Sequence, residues 1–265
     1  MKHILITGST DGIGKLLALR LAKEGHFVAI HGRSEKKLNT TLSQIRNESK
    51  NDNVIGFLAD YSDLSDVKKM AAEVSEKMPK IDVLVNNAGI FNSKINSTPS
   101  GIDIRLVVNY LAPYQFTNAI LPLIKKAEAP RIVNLSSAAQ SPVSLAALKG
   151  EASLGVNEAY AQSKLALTMW SFDLAAKESN ILVVAVNPGS LLNTKMAHEA
   201  YGQHWSPAEK GVDILYDLSM TDKAKTASYF DNDKGGYSQA HPNAYSEAKI
   251  KELLAISNSI SAVEI

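Results

Sequence analysis

The chain has 265 residues, 45% of them hydrophobic, enough for one large domain with a sizeable core. Lys plus Arg number 28 and Asp plus Glu 27, and this balance argues against a nucleic-acid surface or an anionic membrane face. There is no cysteine, so disulfides and thiolate metal sites are excluded, and the six histidines show no metal-ligand spacing. The start, Met1-Lys2-His3-Ile4-Leu5, has no charged, apolar and cleavable leader pattern, and no apolar run approaches the ~20 residues that span a bilayer. These features predict a soluble, cytoplasmic protein with no metal, membrane or nucleic-acid partner.

Ile4-Leu5-Ile6 reads as a short buried strand. Thr7-Gly8-Ser9-Thr10-Asp11-Gly12-Ile13-Gly14 follows, and then a helical pattern from Lys15 to Glu24. A strand, a glycine-rich turn and a helix start form a phosphate cradle, because backbone amides can approach a pyrophosphate where side chains are missing. The spacing is Gly-x-x-x-Gly-x-Gly. Residues 8–14 are therefore expected to bind the cofactor phosphates.

Phe27 to His31 is the second predicted strand, and its end bears on cofactor choice. A site for NAD usually places Asp or Glu there, on the ribose 2′-hydroxyl. Here Gly32 and Arg33 follow, with no carboxylate to repel a 2′-phosphate and a guanidinium able to pair with one. NADP(H) is expected over NAD(H). Ser34 to Glu48 reads as a helix and Val54 to Ala59 as the third strand, ending in Asp60-Tyr61. The Asp60 carboxylate suits either an adenine amino group or the cap of the next helix, Leu64 to Lys77. Ile81 to Val85 is the fourth strand, followed by Asn86-Asn87-Ala88-Gly89, small and amide residues that let the backbone pass close to a ribose.

Ile102 to Ile124 is helical in pattern but contains Pro113. A proline cannot donate to the carbonyl four residues back, here that of Asn109, so a kink is expected. The freed carbonyl would hold a water that links Lys164 to solvent. Arg131 to Leu135 is the fifth strand, with Ser136-Ser137 at its end. The helix Asn157 to Ser179 carries Tyr160 and Lys164, four apart and so on one face. A free tyrosine ionises only near pH ~10, and a neighbouring cation favours the phenolate. Such a pair suits general acid–base work. Taken alone, Tyr-x-x-x-Lys is common and more often marks nothing. Ile181 to Val186 is the sixth strand, ending in Asn187-Pro188-Gly189, and residues 190–205 read as an irregular lid. Strands alternating with helices predict an α/β fold, a Rossmann-like doubly wound parallel sheet in a single domain, 1–265.

With these residues in order, the chain resembles the short-chain dehydrogenases/reductases over nearly its whole length. The resemblance rests on Thr7-Gly8-x-x-x-Gly12-x-Gly14, Asp60, Asn86-Asn87-Ala88-Gly89, Asn109, Ser137, Tyr160-x-x-x-Lys164 and Pro188-Gly189. It implies hydride transfer between NAD(P)H and a carbonyl or alcohol. Under it, Ser137 steadies the substrate oxygen, Tyr160 passes the proton, Lys164 holds the nicotinamide ribose and Asn109 supports the relay. Ser137 is preferred to Ser136, being the second of the pair. The cofactor contacts implied are Gly8, Ser9, Thr10, Asp11, Gly12, Ile13, Gly14, Arg33, Asp60, Tyr61, Asn87, Ala88, Gly89, Tyr160, Lys164, Pro188, Gly189 and Thr194. Thr194 stands one residue later than the family's usual threonine. The 22 residues between Ser137 and Tyr160 are more than most members carry. This stretch, 138–159, together with Tyr229-Phe230 and a C-terminal helix from Tyr245 to Ser257, resembles the retinol-dehydrogenase-like subgroup, in which it adds walls to the substrate pocket. The apolar content of 138–159 and 190–205 points to an apolar carbonyl, and homo-oligomers are usual in such families. A protein that binds NADP(H) without catalysis, as a sensor or scaffold, is the alternative reading.

Overall fold

The structure is a computed structural model that describes residues 1–263. Six strands follow the predicted order: β1 His3–Ile6, β2 Phe27–Gly32, β3 Val54–Leu58, β4 Val83–Asn86, β5 Arg131–Leu135 and β6 Leu182–Asn187. A further pair, β7 Ser228–Asp231 and β8 Gly236–Ser238, completes an eight-stranded sheet in the order β3-β2-β1-β4-β5-β6-β7-β8. Neighbours are parallel throughout except β7 and β8, which form an antiparallel hairpin that the strand-and-helix alternation did not anticipate.

The strands bury both faces, because their residues alternate between two cores. In β1, Leu5 enters one apolar cluster and Ile4 and Ile6 the other; in β6, Val183 and Ala185 oppose Val184 and Val186. Helices α1 Gly12–Lys23 and α2 Glu35–Ser49 cover one face. On the other lie α3 Leu64–Lys77, α4 Ile104–Leu106, α5 Ala112–Ile124, the short α6 Leu145–Leu148 and α7 Val156–Lys177. Two further helices, α8 Lys195–Tyr201 and α9 Ala208–Met220, follow β6, and α9 packs beside α1. The chain closes with α10, Glu247–Val263, which starts two residues later than expected and runs further. Helix starts are set by side-chain caps: Asp11 on α1, Ser34 on α2, Asp63 on α3 and Thr194 on α8. Each accepts a hydrogen bond from an amide of the first turn that has no partner within the helix.

The expected kink at Pro113 takes a specific form. Residues Val107–Leu111 form a π turn, and the Ala112 amide reaches the Val107 carbonyl, five residues back. The wider turn absorbs the missing proline donor without breaking the helix, and Pro113 then falls in the first turn of α5. Among the described residues, no helix is long and apolar enough to cross a membrane. Among them also, no group of three or more His, Cys, Asp or Glu is placed to hold a metal ion.

Candidate active site

All the motifs that follow β1, β2, β3, β4, β5 and β6 end at one edge of the sheet, the carboxyl ends of the strands. There a cavity of about 730 Å³ opens. Its wall includes the glycine turn, Arg33, Asp60, Asn87 to Gly89, Ser137, Tyr160, Lys164, Pro188, Gly189 and Thr194. Helix α7 brings Tyr160 and Lys164 to the same cavity, as their spacing predicted.

Lys164 is buried, and its Nζ donates to the Leu135 carbonyl at the end of β5 (2.8 Å) and lies 5.6 Å from the centre of the Tyr160 ring. Burial pulls its pKa down from 10.5 to about 8, so at pH 7 it remains a cation. A Cβ on Gly89 would sit 3.5 Å from that Nζ; the glycine keeps the space over the ammonium open. The Tyr160 ring packs against Phe91 at 5.0 Å, which fixes the plane of the phenol.

The two serines divide their roles. Ser136 is buried, and its Oγ bonds the Lys164 carbonyl and shares a 2.7 Å bond with Thr168 Oγ1, so it ties β5 to α7. Ser137 is half-buried on the cavity wall, with its Oγ accepting from the Ala139 amide. The backbone of Ser137 is held as well: its carbonyl accepts from Gln140 Nε2 (3.0 Å) and from the Tyr229 hydroxyl on β7 (3.0 Å). Neither partner was singled out in the sequence for this task.

Asn109 is buried in the π turn and is not part of the cavity wall. Its amide donates to the Ile90 carbonyl and to Ser163 Oγ (3.0 Å each), while its Oδ1 accepts from the Ile90 amide (2.8 Å). It therefore welds the loop after β4 to α7 one residue before Lys164. All three of these bonds join parts of the chain to one another. Arg105, also buried, holds the next carbonyl, that of Phe91, at 2.7 Å.

The glycine turn is shaped by close approach. A Cβ on Gly8 would stand 2.6 Å from Cα of Ala88, and Gly8 has φ +61, so both space and backbone require glycine. Of the residues expected at the cofactor, Ser9 and Gly14 are not brought to the cavity. The Ser9 hydroxyl is buried and committed, donating to the Ile6 carbonyl (2.7 Å) and accepting from the His31 amide (2.9 Å). Gly14 lies under Asn87, whose amide a Cβ there would strike. Asp11 lines the cavity, but its carboxylate caps α1 and faces Lys37 at 3.5 Å. Tyr61 also lines the cavity, although it is buried with its ring 4.5 Å from that of His31. Asp60 is at the cavity, but its Oδ1 accepts from the Ser62 amide and hydroxyl; the cap of α3 belongs to Asp63.

Several wall residues carried no site role in the sequence, among them Ile90, Phe91, Asn92, Val108, Lys37 and His31. Lys37 stands beside Arg33 at the far end of the cavity, one turn into α2. His31 lies under the glycine turn, where its Nδ1 accepts from the Gly8 amide (3.0 Å), so Nε2 carries the proton toward the Ala59 carbonyl (3.0 Å). Burial pulls its pKa down from 6.5 to about 4.

The stretch 138–159 meets the cavity at its start. Within it, Ala138 and Ala139 reach the wall. Ala147 and Leu148 of α6 are buried in the core, and α6 packs on α10. The 190–205 segment contributes Leu191, Leu192, Met196 and Trp205 to the wall, and it contains α8 where an irregular path was expected.

The family model described as short chain dehydrogenase matches residues 2–204. Human polyprenol dehydrogenase is 32% identical over 200 residues, which cover 72% of this chain and 60% of that protein. Human retinol dehydrogenase 13 is 31% identical over 193 residues, covering 71% of this chain and 58% of that protein. The chain thus spans about three fifths of the length of these relatives. A solved short chain dehydrogenase from Escherichia coli CFT073, complexed with NADPH, superposes with a TM-score of 0.71 at 27% identity, covering 87% of this chain and 96% of that one. An uncharacterized protein from Mycobacterium paratuberculosis shares the fold alone, with a TM-score of 0.80 at 22% identity over 99% of this chain and 94% of its own. A family model that runs through the glycine turn, the serine pair and the Tyr160–Lys164 helix, joined to relatives of this kind, places the chain in the short-chain dehydrogenase family, within its retinol-dehydrogenase-like branch.

Proposed function

We propose that the protein is an NADP(H)-dependent oxidoreductase that moves a hydride between nicotinamide and a carbonyl or alcohol, with Tyr160 as the proton donor in reduction. The observation that carries this is the convergence of Ser137, Tyr160 and Lys164 on the cavity that the glycine turn opens. The residues present fit such a cofactor. Gly8 leaves no room for a side chain, the N-terminus of α1 faces the turn, and two cations, Arg33 and Lys37, stand at the far end. When bound, the nicotinamide supplies or takes up the hydride.

The chain's own groups do the rest. The hydroxyls of Ser137 and Tyr160 donate to the substrate oxygen and stabilise the negative charge that grows on it. Tyr160 then gives up its proton. The Lys164 ammonium, buried beside the ring, favours the anionic phenol left behind. Phe91, Met196 and Trp205 offer an apolar wall, which supports an apolar carbonyl as the substrate. The test is NADPH oxidation against a panel of aldehydes and ketones, from aliphatic to polycyclic. NADPH binding with no turnover on any of them would leave a nucleotide-binding sensor in place of the enzyme.

Two outcomes follow from the charges. Arg33→Asp is expected to lower the preference for NADPH over NADH by about tenfold or more, because it removes a charge-assisted contact and adds a repulsive one. The ratio of kcat/KM for the two cofactors reads this directly, and an unchanged ratio would remove Arg33 from the site. Affinity for NADPH should also fall above pH ~8, by up to about tenfold per pH unit, as Lys164 loses its charge. Lys164→Arg should hold the affinity to higher pH, since a guanidinium stays protonated there.

A further inference from the structure

Arg33, Lys37, Ser137 and the Tyr160–Lys164 pair lie within residues 2–204, whereas Trp205 on the cavity wall and Tyr229 behind Ser137 lie beyond it. The β7–β8 hairpin lies beyond that stretch, and its tip makes a dense set of contacts with the root of the lid. Asp233 accepts from the Ser190 amide (2.9 Å) and from the Ser190 hydroxyl (2.5 Å). It also accepts from Asn187 Nδ2 (2.9 Å), which donates to Asp231 as well (2.9 Å). The Asn232 side chain donates to the Pro188 carbonyl (2.8 Å) and the Lys210 carbonyl (3.0 Å), and its amide donates to the Asn187 carbonyl (3.0 Å). Pro188, Gly189 and Ser190 all line the cavity.

We propose that the hairpin tip Asp231-Asn232-Asp233 is the positioning element for the Asn187–Ser190 wall, with Asp233 the residue on which the lid pivots. The inference rests on reading the cavity as the cofactor site. The physical argument begins with the backbone. Gly189 has φ +124, a region open to glycine and few others, so the chain turns sharply there and has no ladder of its own to hold it. The peptide groups on either side must find partners elsewhere. Asn232 satisfies the carbonyl before the turn and Asp233 the amide after it. The carboxylate is itself held: Lys210 stands 3.7 Å away, and burial, which would raise its pKa, is outweighed by the Ser190 and Asn187 bonds, which keep it below the ordinary value. A charged acceptor with its position set from several sides is a rigid anchor. From Ser190 the chain runs directly into Leu191, Leu192 and the cap of α8, so the angle at which the lid leaves the sheet is decided at this contact.

Asp233 touches no reacting group, so its loss should act on the wall and not on proton transfer. The test uses the full chain. Hydrogen exchange of the ligand-free protein is measured for wild type, Asp233→Ala, Asp233→Asn and Asn232→Ala, alongside NADPH affinity. In Asp233→Ala, amides 189–197 should exchange at least about tenfold faster, with β1, β4 and β5 unchanged, and NADPH affinity should fall by about tenfold. Asp233→Asn keeps one acceptor and should recover part of both losses. If Asp233→Ala does not fold, Asp233→Asn and Asn232→Ala carry the same test with smaller changes in the same amides. Unaltered exchange at 189–197 in these variants overturns the proposal, and so does faster exchange there with unaltered NADPH affinity. A wild type that binds no NADPH overturns the cofactor reading instead, and the exchange data then still judge the anchor on its own.

Discussion

Tyr160→Phe is expected to lower kcat by about 10²–10⁴-fold, the range that a positioned general acid contributes, while NADPH binding stays close to that of the wild type. Phenylalanine keeps the ring that packs on Phe91 at 5.0 Å, and it keeps the ring edge beside Lys164. The change removes one hydroxyl from the cavity wall and leaves the helix, the serine pair and the glycine turn as they are. The loss should therefore appear in kcat and kcat/KM together, the signature of a contact made in the transition state. Cofactor binding by fluorescence titration and turnover on the best carbonyl from the panel separate the two effects. Near-normal turnover would remove Tyr160 from the chemistry and with it the proposed mechanism.

The second large effect concerns stability. His31 accepts from the Gly8 amide and so must stay neutral for the turn to keep its shape. In the unfolded chain its pKa is about 6.5; burial in the folded protein holds it down to about 4. A depressed folded value means that the unfolded chain takes up a proton first, so stability is full above pH ~6.5 and is lost as the pH falls toward 4. At about 1.4 kcal/mol per pH unit this amounts to about 3 kcal/mol across that window. Asp63, Asp82 and Asp233, whose pKa values also lie below their ordinary value, act lower, from about pH 4 downward; His26, which burial also holds below its ordinary value, shares the window of His31, and its share is the same in wild type and variant. Denaturant unfolding at pH 7, 6, 5 and 4.5 should show the slope in the wild type. His31→Gln can still offer an acceptor to Gly8 and a donor to Ala59; it should flatten the slope even if it is less stable at pH 7. Equal slopes in the two proteins would refute the assignment.

The same histidine shows what a linear reading can miss. At the end of a strand it carries no motif, and its task depends on Gly8, 23 residues away, coming to rest against it. Ser9 is the reverse case. It sits inside the glycine-rich run, yet the turn directs its hydroxyl into the protein, toward Ile6 and His31. Position in a motif says which backbone will be near the ligand; it does not say which way each side chain points. Most of the 138–159 stretch lies away from the cavity for a related reason. Its apolar residues needed burial, and α10, from the far end of the chain, was there to bury them.

The strands and the Tyr160–Lys164 pair were legible because each depends on spacing of a few residues. Period-2 alternation puts Leu5 and Ile6 on opposite faces of a sheet, and a separation of four puts two side chains on one face of a helix, whatever surrounds them. The meeting of Arg33, Ser137 and Lys164 at one edge followed as well, since parallel strands joined by helices all end on the same side. The tertiary structure alone decided the contacts between distant segments: Asn109 to Ile90, Tyr229 to Ser137, Asp233 to Ser190. These contacts join residues 19, 92 and 43 apart, and no local pattern encodes them, because each partner's position is set by the packing of a different part of the sheet.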